Sequence, residues 1–454
     1  MTDLAARARI EAVLANAGLE ASECGGRIAL VERTVDAFTT GVGHAPRWCW
    51  LVPGRIEVFG KHTDYAGGRS LVTAVPRGFA LAAAPRDDGK VVARDARWNS
   101  SIIVNTADES QVFHGWANYV AVVVRRLLRN FPEAHLGADL TFFSDLPRAA
   151  GVSSSSALVV GVALALIRRG ELTQRFEYQS AIQDSLELAG YLGAVENGLT
   201  FGTLAGTSGV GTHGGSEDHT AILNCRPGFV SAFSYVPTRP LGDAHVPADW
   251  RFIIMPSGVE AAKAGAARGR YNRASLATQA LVNVWRQHSG ESVSRPLAEV
   301  LADEAGGEAV LRHAIANRYH PDFSAEALER RLTHFIAEDA RVLPALAAFG
   351  AADRIQLGAL TAASQADAES LLGNQVAETS AQASLAREAG AFAASSFGAG
   401  FGGSVWALAD ASDATEVANR WRESYAARFP ALAAAAVPVI MRPGAPALAW
   451  DVAG

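Results

Sequence analysis

The chain is poor in cysteine: Cys24, Cys49 and Cys225 are its only three, scattered and without a CxxC pair. That excludes a disulfide scaffold and a cysteine-based metal site, and points to reduced thiols in a cytoplasmic protein. No block of Lys and Arg stands out, and the net charge is −6, so the electrostatic footprint of a general nucleic-acid binder is missing. A small anionic ligand needs a local pocket. The longest apolar run, residues 157–167, falls short of the roughly 20 residues that span a bilayer, and reads as a buried helix. The first 20 residues alternate charged and apolar side chains and lack the apolar core of a signal peptide, so neither export nor a membrane partner is expected. A Walker A loop is missing too: five residues separate Gly54 from Gly60, and His62 follows Lys61 where Ser or Thr is required.

What is present describes an ordinary globular protein. At 454 residues the chain is long for one core, so two domains with a cleft between them are expected, residues 1–240 and 241–454. After an opening helix, residues 47–60 read as two short strands broken at Pro53 and Gly54, with further strands over 70–75 and 79–84. Apolar spacing predicts a helix over 116–130, with Arg125, Arg126 and Arg129 near its end. A strand, a Gly/Ser turn and an apolar helix capped by its own serines follow. A second helix is expected over 176–193, and AILNC after it reads as a strand. The second half opens on a strand (RFIIMPS), continues in Ala-rich helices, and ends with a glycine loop, a strand, a helix near 414–428 and a strand over 436–441. The fold class is α+β.

Three segments carry candidate chemistry. The first, Pro53 to Gly68, gathers Arg55, Glu57, Lys61, His62 and Asp64 in a glycine-bounded stretch able to hold several hydroxyls: Asp accepts, Lys and Arg donate, His does either. The second, Leu146 to Ala157, sets Gly151 and Ser153, Ser154, Ser155 and Ser156 at a helix start, where free N–H groups and the helix dipole favour phosphate and a hydroxyl can reach a cation. Taken alone, four serines also suit a mere helix cap. The third, Ser395 to Ser404, contains GxGxxG at Gly398, Gly400 and Gly403, but a strand follows it where the dinucleotide fingerprint needs a helix.

Together the three motifs resemble those of the GHMP kinase superfamily, in order and approximate spacing. GRIEVFGKHTDYAGG is similar to the galactokinase signature, Gly-x-Ser-Ser-Ser after Leu-Pro resembles the phosphate loop, and GAGFGG resembles the third motif. The resemblance implies an N-terminal domain like the second domain of ribosomal protein S5 and a ferredoxin-like C-terminal domain, with MgATP and a sugar meeting between them. It further implies Asp218, in Gly214-Gly215-Ser216-Glu217-Asp218, as the base that takes the proton of the reacting hydroxyl. Arg55 is the arginine beside it, which keeps that aspartate ionised and offsets developing charge. Ser155 and Glu196 are implied as magnesium ligands, and Gly151, Ser153, Ser154, Ser155, Gly400 and Gly402 as ATP contacts. His62, Asp64, Gly215 and Tyr271 are implied to meet the sugar.

The match departs from the pattern at the substrate end. Lys61 stands where galactokinases carry a glutamate, Glu57 replaces Asn or Asp, Glu217 replaces an apolar residue, and His219 replaces a glutamine. Lys61 either contacts an altered sugar or pairs with Glu57 or Glu217, and both readings stay open from sequence. The expected activity is ATP-dependent phosphorylation of a sugar hydroxyl. Its alternatives are a related sugar-like substrate (uronic acid, amino sugar, sugar phosphate or cyclitol), a non-catalytic sugar and ATP sensor, and an NAD-dependent oxidoreductase.

Overall fold

The computed structural model describes residues 4–452 except 20, 109, 148–149, 261–264 and 304–305. Arg148 and Ala149 of the second motif therefore lie outside the described residues. The strands are β1 (Trp48–Phe59), β2 (Arg69–Pro85), β3 (Lys90–Asp95), β4 (Ser100–Asn105), β5 (Ala138–Ser144), β6 (Phe229–Ser234), β7 (Arg239–His245), β8 (Trp250–Pro256), β9 (Ala393–Ser396), β10 (Ser404–Asp410), β11 (Val439–Met441) and β12 (Leu448–Asp451). One sheet runs β12-β1-β2-β5-β3-β4, with β6 on the other end of the long β2 and β7 beside β6. Within it only β3 and β5 are parallel. The second sheet, β11-β8-β10-β9, is antiparallel throughout.

This is the expected α+β organisation in two sheets. Residue 240 falls inside β7, and β12 carries the C-terminal end of the chain back to the first sheet, against β1. The helices predicted over 116–130 and near 414–428 form with those bounds. Four other expectations change. The two broken strands are one: β1 continues through Pro53 and Gly54 because a register shift against β2 between Pro53 and Arg55 absorbs them, as a bulge does. The strands expected over 70–75 and 79–84 are a single strand, β2, which pairs with β1 on both sides of the register shift. AILN, expected as a strand, is the end of the helix Glu217–Asn224, with Ala221 and Ile222 buried; five residues are too few for periodicity to separate the two. The helix expected over 176–193 is two, Phe176–Ala181 and Ser185–Asn197. Asp184 starts the second, its carboxylate accepting from the N–H groups of Leu186 and Glu187.

The apolar helix Ser154–Arg169 packs on β1 and β2, and Val159, Val162 and Leu166 are wholly buried there. Each such side chain contributes about 1.5–3 kcal/mol by leaving water, which fixes the helix start firmly against the sheet. The serines do not cap it as expected: Ser153 holds the N-cap position at φ +58°, and its hydroxyl bonds to nothing among the described residues. The long helix Ala325–Gly350 lies across β1, β2, β6 and β7 and so ties the second half of the chain to the first sheet.

Candidate active site

A cavity opens where β1, the start of helix Ser154–Arg169, helix Glu217–Asn224 and the glycine loop between β9 and β10 converge. The bulge in β1 aims Arg55 into it. Gly54 is required at that bend, because a Cβ there would stand 2.5 Å from the Val152 carbonyl oxygen. Arg55 donates through Nε to Asp218 Oδ1 at 2.7 Å and through Nη1 to the Gly151 carbonyl at 2.7 Å, and its Nη2 lies 2.6 Å from Asp218 Oδ1. One buried guanidinium thus fixes both the aspartate and the backbone of the second motif. Burial disfavours its charge, but Asp218, Glu217 and Glu57 outweigh that and hold its pKa above the ordinary arginine value.

Asp218 sits in the first turn of its helix, with its other oxygen facing Ser156. The Ser156 hydroxyl lies 2.9 Å from Glu196 Oε2 and 3.1 Å from Asp218 Oδ2. A hydroxyl has one proton and can satisfy only one of these carboxylates at a time. The three oxygens suit a hard divalent cation, which would neutralise the second carboxylate. His219 Nε2 stands 3.0 Å from the same Glu196 oxygen, poorly aligned for a hydrogen bond. Of the serines in this run it is Ser156, not Ser155, whose hydroxyl faces these two carboxylates. Ser155 is half buried and does not line the cavity; one residue further along the helix turns the side chain by about 100°, toward Glu196.

The opposite wall is built from the first motif. Asp64 accepts from the Glu217 N–H at 3.1 Å, and Gly215 lies so close that a Cβ would stand 2.2 Å from Asp64 Oδ2. His62, at φ +60°, places Nδ1 3.0 Å from the Tyr65 hydroxyl and Nε2 3.2 Å from the Ala399 carbonyl. Tyr271 reaches the cavity from helix Gly265–Ser289 and packs its ring 5.4 Å from that of His62. Asn197 shapes the loop before Asp218, accepting from the Gly214 N–H at 2.8 Å and donating to the Gly215 carbonyl at 3.3 Å. Asn197 directly follows Glu196 in the sequence, and its position beside that implied ligand is the one signal that could have pointed to it.

Lys61 is the clearest correction. It is wholly buried, does not line the cavity, and pairs with neither Glu57 nor Glu217. Its ammonium donates to Ser364 Oγ at 2.6 Å and lies 3.7 Å from Glu338 Oε1, on helix Ala325–Gly350. Glu338 also accepts from the N–H groups of Gly60 and Lys61, from Ser364 Oγ and from Arg341. Burial alone would raise its pKa, yet Lys61, His334 and Arg341 bring it down to about 2.

Glu57 faces the cavity instead. Its Oε2 accepts from the Gly398 N–H at 2.6 Å, fastening the glycine loop to β1, and burial lifts its pKa to about 7 despite Arg55 and Lys61. Gly398 and Ala399 line the cavity, whereas Gly400 and Gly402 do not: a Cβ on Gly400 would stand 2.3 Å from the Asn374 carbonyl oxygen, and one on Gly402 2.6 Å from that of Val259. Strands flank this loop on both sides, which removes the dinucleotide-binding reading. Ser153 and Ser154 also stand outside the cavity.

Three family models match the chain. Residues 36–85 match the galactokinase galactose-binding signature, 118–197 the GHMP kinases N terminal domain and 345–427 the GHMP kinases C terminal. A galactokinase of Chloroflexus aurantiacus is 27% identical over 398 residues, 86% of this chain and 91% of its own length. One of Actinobacillus pleuropneumoniae is 27% identical over 330 residues, 72% and 75% of the two chains. The fold is similar to that of Lactococcus lactis galactokinase complexed with galactose, with a TM-score of 0.72 and 23% identity over 92% of this chain and 98% of the other. A D-glycero-D-manno-heptose 1-phosphate kinase from Bacteroides thetaiotaomicron shares the fold at a TM-score of 0.52 and 12% identity, over 89% and 98% of the chains. Motifs, family models and curated relatives agree in supporting a galactokinase-like GHMP kinase, on the fold that the solved galactokinase shares.

Proposed function

We propose that the protein transfers the terminal phosphoryl group of ATP to a hydroxyl of a sugar, as a galactokinase does, giving a sugar 1-phosphate. The observation that carries this reading is the Asp218 carboxylate, gripped by Arg55 on one oxygen, faced by Ser156 on the other, and opening on a cavity walled by Asp64, His62 and Tyr271. Asp64 offers acceptors to sugar hydroxyls, the His62 and Tyr271 rings shape the wall beside it, and Asp218 accepts the proton of the hydroxyl that reacts. Arg55 meets the charge that develops on the transferred group, and its bond to the Gly151 carbonyl couples that position to the loop whose N–H groups receive phosphate. Ser156 and Glu196 would hold magnesium, which when bound neutralises phosphate charge. Little covalent chemistry is asked of the chain beyond positioning and this one proton.

The test is ADP release from MgATP against a panel of hexoses, pentoses, uronic acids and cyclitols. Turnover that depends on Asp218 is the expected result, and no ADP release with any member would overturn the reading. The serine assignment has its own readout. Ser156→Ala is expected to raise the magnesium concentration for half-maximal rate by about 10–100-fold, the usual cost of disturbing a metal's surroundings, and Ser155→Ala to shift it far less. The reverse order in a magnesium titration would return the assignment to Ser155.

A further inference from the structure

The cavity is lined by five carboxylates, Glu57, Asp64, Glu196, Glu217 and Asp218, while Arg55 is its one Lys or Arg among the described residues. Arg55 is already committed to Asp218. Glu196 and Asp218 face Ser156, at the end assigned to magnesium and phosphate. The sugar end keeps Glu57, Asp64 and Glu217, and the nearest guanidinium contact is Arg55 Nε, 3.5 Å from Glu217 Oε1. Behind this wall Lys61 is engaged with Glu338 and Ser364, and Arg331 with the His62 carbonyl, the Tyr65 hydroxyl, the Ala274 carbonyl and His334.

Resting on the sugar-kinase reading, we propose that the preferred substrate is an amino sugar whose ammonium group docks between Glu57 and Glu217. An ammonium has three donors and a full charge, so it can satisfy both carboxylates at once, whereas a hydroxyl brings one donor and no charge. A uronic acid would add a sixth carboxylate. Glu57 is well placed for this role, since the Gly398 N–H holds one of its oxygens and it still lines the cavity. Both carboxyl groups are buried and line the same cavity. A buried pair of this kind gains most from a cation.

The experiment compares kcat/KM for galactose, galactosamine, 6-amino-6-deoxygalactose and galacturonate in the wild type and in Glu57→Gln and Glu217→Gln. Hydroxyl and ammonium are nearly the same size, so each pair isolates charge. At least one amino sugar is expected to exceed galactose by about tenfold or more, the worth of one charge-assisted hydrogen bond, with galacturonate poorest. The amino-to-neutral ratio should fall toward one in at least one of the two variants. Galactose equal to or better than both amino sugars, or a ratio unmoved in both variants, would overturn the inference and leave the kinase reading intact. No ADP release with any sugar would overturn both.

Discussion

Asp218→Asn is expected to lower kcat by about 10²–10⁴-fold, the usual worth of a positioned proton acceptor, while the KM values for sugar and ATP change little. The substitution is nearly isosteric, and the new amide oxygen can still accept from Arg55, so helix Glu217–Asn224 and the Gly151 anchor should keep their places. The amide nitrogen would face Ser156, whose hydroxyl oxygen can accept from it in place of donating. What disappears is the basic lone pair and the charge opposite Arg55. A loss confined to kcat marks an interaction made in the transition state; a raised KM with kcat unchanged would mean that Asp218 serves only to bind. Unfolding curves of the two proteins should be measured alongside, because a variant that has lost its fold would lose both.

Much of this site could be read from residue patterns because its parts are local. Arg55, His62, Asp64, Gly215 and Asp218 each belong to short segments whose glycines leave room for close approach, and the structure brings them around one cavity. The part that was not legible depends on facing directions and distant partners. Four consecutive serines look alike in a string, but a helix start turns only Ser156 toward Glu196. Lys61 illustrates the second limit: within its own motif the available anions are Glu57 and, through the base segment, Glu217, yet its partner stands 277 residues along the chain. Nothing in the local pattern of helix Ala325–Gly350 distinguishes Glu338 from the other acids on it. β1 was misread for a related reason, since Pro53 and Gly54 end a strand in isolation, whereas pairing with β2 carries the strand past them.

Lys61→Met is expected to destabilise the folded protein by about 3 kcal/mol, toward the lower end of what breaking a buried pair costs, and to leave the sugar KM within about twofold of wild type. The lower end applies because Glu338 keeps Arg341, Ser364 and two backbone N–H groups when the ammonium is removed. Lys61→Glu should cost more, since it sets a second carboxylate against Glu338 with those donors already engaged. The double exchange, Lys61→Glu with Glu338→Lys, should not restore stability, because the N–H groups of residues 60 and 61 would then face a cation instead of an acceptor. The pH dependence carries a sign. Glu338 titrates at about 2 in the folded protein against an ordinary value of 4.5, so between these the unfolded chain binds more protons and stability rises with pH. The contribution is whole above about pH 4.5 and is lost as pH falls toward 2. Removing Lys61 removes the largest pull on that pKa, so the stability gap between wild type and Lys61→Met should be widest above pH 4.5 and close on acidification. Urea unfolding across that range measures it. An unchanged midpoint with a raised sugar KM would mean that Lys61 reaches the substrate after all, and that the pair with Glu338 is not what holds the first motif to helix Ala325–Gly350.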